Sequence, residues 1–201
     1  MSISNYSDLQ TAVGNWLHRT DLTSIIPDLI EMGEKRIARD VRAQEMETAY
    51  SGAIASGVIA VPSSFLGWKA VYVNTSRAQR LETKSLDWLY LNYPVRSADG
   101  VPKFIARNGA NFEFGPYPDS SYTIKGTYLA KPAAVSSSWG SLATAHPDLY
   151  LFATLVEAQM YAINTPLAAE WERRYQSIAM QINNEARGAE YGATPLSVTR
   201  G

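Results

Sequence analysis

The apolar residues of this chain change their period twice, and any fold must accommodate both changes. Leu9, Val13, Trp16 and Leu17 recur at helical spacing, as do Ile26, Leu29, Ile30, Ile37 and Val41. From about Met46 the pattern shortens. Thr48, Tyr50, Ile54, Val58 and Val61 are interrupted by Ser51-Gly52 and Ser56-Gly57, the mark of short strands joined by tight turns. Helical spacing returns at Pro147, where Leu149, Phe152, Ala153, Val156 and Met160 share one face, and continues through Trp171, Tyr175, Ile178, Ile182 and Ala186. This order predicts an α+β fold: an antiparallel helical bundle of two N-terminal and two C-terminal helices, a β-rich antiparallel insert and an extended C-terminal tail. The expected segments are 1–45 for the N-terminal helices, 46–132 for the insert with one short helix, 133–190 for the C-terminal helices and 191–201 for the tail.

Local signals refine the elements. Ser7 is the expected N-cap of a helix to Arg19, with Gln10 closing a capping box. Pro27 suits the first turn of a second helix reaching about Ala43, whose outer face is Glu31, Glu34, Lys35, Arg36, Arg39 and Arg42. In the insert, five or six strands are expected in one meandering sheet. Its clearest turn is Asn108-Gly109, flanked by Lys103 to Arg107 and Ala110 to Phe114, which predicts a type I′ hairpin. Ser85 caps a two-turn helix to Leu91 that stops before Pro94. Pro147 and Thr165-Pro166 open the last two helices, and Glu170 pairs with Arg174 at i,i+4. Tyr191 to Gly201 has no period.

Chemistry is conspicuous by its scarcity. The 201 residues, 46% hydrophobic and 18% charged, suffice for a real core, while 18 Lys and Arg against 19 Asp and Glu disfavour tight, salt-sensitive binding to nucleic acid. Zero cysteines removes disulfides, thiol nucleophiles and Cys-ligated metals. The apolar runs fall short of the ~18 residues a membrane span needs, and the start lacks a basic n-region, so neither a signal peptide nor membrane insertion is expected. His146 precedes Pro147 at a helix entry and His18 sits in a last helical turn, so neither reads as a general base. No metal spacing or phosphate-cradling glycine loop occurs, and no catalytic residue, cofactor or metal is expected. Glu82, Asp87 and Glu113 lie where a carboxylate pair could form, against the plainer reading of solvated faces. Trp68, Tyr72, Trp88, Tyr90, Tyr93, Tyr117, Tyr122 and Tyr128 concentrate in the insert and suit a core, an assembly surface or a sugar platform.

The chain as a whole resembles the head-to-tail adaptor (connector) family of tailed bacteriophages. The resemblance is carried by Ser7-Asp8-Leu9, the Ile30 to Arg42 helix, Val61-Pro62-Ser63-Ser64-Phe65-Leu66 and Ser85-Leu86-Asp87-Trp88-Leu89. It continues through Gly100-Val101-Pro102, Phe112 to Pro118, Tyr122 to Tyr128 ending at Pro132, and His146-Pro147-Asp148-Leu149. It implies a non-enzymatic virion protein in the neck between head and tail, assembled from host cytoplasm as a homo-oligomeric ring of about twelve copies. The implied partners are the portal protein above and the distal tail or nozzle proteins below, with double-stranded DNA passing through the lumen without specific binding. In such adaptors the C-terminal segment lies along the portal, so Pro195, Leu196, Ser197, Val198, Thr199 and Arg200 are the expected portal contact, ordering on binding. The two-signed helix faces, with Glu34, Arg36, Arg39, Arg42, Glu170, Arg173 and Arg174, suit contacts between identical subunits, and a solvated helix face equally well. Another neck or tail-completion protein, or a glycan-binding or receptor-binding module of the virion, is the alternative.

Overall fold

The computed structural model describes residues 2–19, 21–97 and 99–191, with only the backbone of Glu190 and Tyr191. The described residues form an α+β protein of six α-helices and two four-stranded sheets. Two compact units are present: Met1–Met46 together with Pro132–Gly201, and Glu47–Lys131.

The first unit is helical. Helix α1 (Tyr6–Leu17) starts two residues earlier than a Ser7 cap would place it, because its cap is Asn5. Asn5 Oδ1 accepts from the Asp8 N–H at 2.9 Å, and the Asp8 carboxylate reaches back to the Ser4 N–H (3.0 Å) and hydroxyl (2.7 Å). The cap is set by Asn and Asp two residues upstream of the expected Ser and Gln pair, and the Asp8 carboxylate closes on the residue before the cap and not on the N–H of the cap itself. Helix α2 (Ile26–Asp40) carries Pro27 in its first turn and ends at Val41, whose extended backbone stops it short of Ala43. Gly33 lets α2 approach α5 (Pro147–Tyr161): a Cβ there would sit 3.2 Å from the backbone of Ala153 and Thr154. Helix α5 packs against α1, α2 and α6 (Thr165–Tyr191). It is consequently buried on most sides and not on the single face its spacing suggests, with Leu149, Tyr150, Leu151, Ala153, Leu155, Val156 and Ala158 in the core and Met160 exposed. A 3₁₀ turn (Gln44–Met46) and the short α4 (Ser141–Ala145), neither marked by an apolar period in the sequence, pack together.

The second unit departs from the expected meander. Its strands are β1 (Glu47–Ala53), β2 (Val58–Ala60), β3 (Phe65–Asn74), β4 (Gln79–Arg80), β5 (Glu82–Thr83), β6 (Phe104–Asn108), β7 (Asn111–Gly115) and β8 (Thr123–Ala130). They pair as β1-β8-β3-β4 and β2-β7-β6-β5, with β5 parallel to β6. The chain changes sheet after β1, β2, β4 and β7, and Ile54, Ile59, Val71, Val73, Leu81, Ile105, Phe112, Phe114 and Ile124 share one core, which a flat meander would leave exposed on one side. Helix α3 (Leu86–Asn92) is capped by Ser85 as the sequence indicates and packs on β6.

The turns also shift. Asn108 and Asn111 pair across a two-residue loop, Gly109-Ala110, in which only Gly109 has positive φ (57°). The hairpin stands, but its turn has the glycine-first form of type II′ and not type I′. The pair of positive φ values that marks type I′ occurs at Ser56 (51°) and Gly57 (74°), between β1 and β2. Ser51-Gly52 makes no turn and lies within β1, where a Cβ on Gly52 would come 2.7 Å from Ile59 Cδ1.

Candidate functional site

The charged residues of the helical unit divide into an inward set and an outward set. Arg36 faces inward. Its Nε and Nη2 donate to Glu157 Oε1 at 2.9 and 2.6 Å, and its Nη1 donates to Glu172 Oε2 at 2.7 Å. One guanidinium thereby joins α2 to α5 and α6, with side-chain exposures of 19% for Arg36 and 11% for Glu157. The same guanidinium lies 5.6 Å from the centroid of the buried Tyr175 ring. Tyr175 donates to Asp40 Oδ2 at 2.9 Å, and burial, then that bond, pushes its hydroxyl well above the ordinary tyrosine range. Glu34 accepts from the Val135 N–H, tying the connector after the sheet unit to α2.

The remaining candidates are on the surface. Arg39 is exposed. Arg42 closes the end of its own helix, with Nη1 donating to Ala38 O at 3.1 Å and Val41 O at 2.6 Å. The neighbouring backbone is held by Asn183, which accepts from the Arg42 N–H at 2.7 Å and donates to Asp40 O at 3.0 Å. Glu170 pairs with Arg173 at 3.0 Å and Arg174 at 3.5 Å. The Arg174 guanidinium also covers an aromatic group, 5.1 Å from Trp171 and 5.9 Å from Phe152, which Trp16 completes at 5.4 and 5.7 Å.

The three carboxylates singled out in the sheet unit have separate fates. Glu82 pairs with Lys84 at 3.0 Å, and Asp87 lies in the first turn of α3. Glu113 is 8% exposed and accepts from the Tyr90 hydroxyl (2.9 Å), Arg96 Nη2 (2.9 Å) and Asn108 Nδ2 (2.7 Å). The bond to Glu113 raises the Tyr90 hydroxyl above its usual range. A carboxylate so fully engaged serves as the anchor of β7, α3 and the 93–96 segment, without a free oxygen to activate water. His18 occupies the left-handed C-cap position of α1, and His146 lies between α4 and α5 with Nε2 3.9 Å from Glu45. Among the described residues no three metal-binding side chains converge, and no helix is long and apolar enough to cross a membrane.

Sequence spacing alone misses both buried ionic groups, although one signal was available. Glu157 is the lone charge in the run from Leu149 to Tyr161, and a carboxylate in an otherwise apolar helix demands a cation from elsewhere. The tail candidates Pro195 to Arg200 lie outside the described residues.

Residues 4–199 match the SU10 adaptor protein family. The chain belongs to that family. No curated protein matches it. An SU10 adaptor is a phage structural adaptor, hence a virion component, and the family is not an enzyme class. The resemblance read from the sequence and the family match agree at the level of a phage adaptor.

Proposed function

We propose that this SU10 adaptor is the head-to-tail subunit of the neck: a ring of identical copies that docks under the portal, receives the tail proteins below, and encloses the path of the DNA. The family match across residues 4–199 carries this reading. The engagement of the most conspicuous carboxylates supports a structural role over hydrolysis. We read α1, α2, α5 and α6 as an antiparallel bundle, supported by the packing of α5 against the other three. Lateral contacts between copies fall to Arg39, Arg42, Glu170, Arg173 and Arg174, because Arg36 would have to leave two carboxylates and Glu34 a backbone N–H to take part. Portal contact falls to Pro195 to Arg200, an extended segment ordering on its partner.

Electron microscopy of the purified chain mixed with the portal protein encoded beside it tests this reading. A cyclic layer of density on the narrow end of the portal is the expected result. Bare portals at high protein concentration would reassign the chain to another position in the virion, and unchanged attachment after deletion of residues 192–201 would remove the tail from the contact.

A further inference from the structure

The near-neutral total charge conceals a segregation. The sheet unit, Glu47–Lys131, carries nine Lys and Arg against six Asp and Glu, net +3, and the remainder nine against thirteen, net −4; together these give the chain's −1. Two of these cations, Arg80 and Lys125, share one outward sheet face. In the β1-β8-β3-β4 sheet, Val71, Val73, Leu81 and Ile124 point into the shared core, so their strand neighbours point outward. Four outward cross-strand rows result: Glu47–Leu129–Gly67 at one margin, then Ala49–Thr127–Ala70, Ser51–Lys125–Tyr72–Arg80, and Ala53–Thr123–Asn74.

Glu47 is the one carboxylate in these rows, and none stands in the other three. Lys125 and Arg80 are exposed and make no ion pair among the described residues, whereas Glu47 at the margin is neutralised by Lys69. Tyr72, 37% exposed, stands between the two cations in the row that crosses all four strands. Around it are the hydroxyls of Ser51, Thr123 and Thr127 and the amide of Asn74. Lys, Arg, Ser, Thr, Asn and Tyr are the side chains that bond phosphate oxygens, and a sheet face whose one carboxylate, Glu47, is already paired with Lys69 presents them without net repulsion. An apolar partner would leave both cations buried and unpaired, and an acidic protein surface, whose carboxylates accept from the same hydroxyls, is separated from a phosphate backbone by titration with each.

We propose that the outward face of this sheet contacts the phosphodiester backbone of duplex DNA, with Lys125 and Arg80 as the cations and Tyr72, Ser51 and Thr123 as hydroxyl donors. The contact is independent of base sequence, since nothing on the face is shaped to read a base edge. It is also weak per copy. Two neutralised phosphates give a salt exponent of about −1.8, so affinity falls only about tenfold between 50 and 200 mM salt, and the face adds up over many copies without gripping in any one. The property belongs to the single chain and does not depend on assembly or portal docking.

Nuclear magnetic resonance of the ¹⁵N-labelled full-length chain, titrated with a short duplex of mixed sequence at 50 mM salt, tests the proposal. Shifts clustered on the three rows without a carboxylate, weakening about tenfold at 200 mM salt, are expected; in the Lys125→Glu/Arg80→Glu variant they disappear while the rest of the spectrum is retained. Shifts elsewhere, none at 50 mM salt, or undiminished binding by the double variant would overturn it. So would a poly-glutamate peptide moving the same residues when the duplex does not, which would assign the face to an acidic protein surface.

Discussion

Ile163 offers the sharpest test of the backbone. It follows Ala162, the C-cap of α5, and the chain closes there by two bonds, Ile163 N–H to Met160 O at 3.1 Å and Asn164 N–H to Gln159 O at 2.9 Å. This is the Schellman arrangement, which places its next residue in the left-handed region and usually assigns it to glycine. Here a β-branched side chain holds φ at 57° and is 89% exposed. Left-handed backbone costs a residue bearing a Cβ roughly 1–2 kcal/mol, and glycine gives back about 0.5–1 kcal/mol through its freer unfolded chain. With almost no apolar area to lose, Ile163→Gly should stabilise the protein by roughly 0.5–1 kcal/mol, a rise of about 2 °C in Tm for a chain of this size. Urea and thermal unfolding followed by circular dichroism at 222 nm would measure it, with Ile163→Ala as the control. Alanine keeps the Cβ and should gain little. Equal stability of the glycine and alanine variants would refute the assignment of the cost to positive φ.

Removing the Arg36 side chain (Arg36→Ala) leaves Glu157 without its cation, while Glu172 keeps the bond from Gln176, and should destabilise the protein by roughly 3 kcal/mol in urea unfolding, with part recovered by adding Glu157→Gln; a loss under about 1 kcal/mol would mean the carboxylate finds water instead. Glu113→Ala strands Arg96 in the same way, and the change should fall on the sheet unit, measured as faster hydrogen exchange in β6 and β7 with α5 and α6 unchanged. The Asp8 carboxylate is held below its ordinary range by the Ser4 hydroxyl and N–H. Its folded value is depressed, so the contribution to the start of α1 is present above the unfolded value near pH 4 and lost as pH falls through the folded one. The Ser4 amide resonance should report that loss on acidification, and Asp8→Asn should abolish its pH dependence.

What the sequence discloses here is local. Ser85, Pro147 and the Asn108-Gly109 region act through neighbours a few residues away, and each marks an element that forms where expected. What it conceals is pairing at long range. Glu47 of β1 lies opposite Leu129 of β8, and no turn chemistry signals that partnership. The same limit explains the outer face of α2: Glu31, Lys35 and Arg39 do face solvent, but Arg36 belongs to carboxylates 121 and 136 residues further along the chain. Helix α5 was open to a better reading, because the run from Leu149 to Val156 contains no charged residue and so no face fit for water.

The pairing of β1 with β8 also says how the sheet unit is attached. The chain enters it at Glu47 and leaves it just past Ala130, and these two ends are hydrogen-bonded neighbours over seven antiparallel residue pairs, from Glu47↔Leu129 to Ala53↔Thr123. An insertion whose ends lie side by side asks of its host a gap no wider than a hairpin. Changes of length within residues 54–122, beyond that ladder, leave the two ends side by side, and the seven pairs between β1 and β8 are the stem that holds them so.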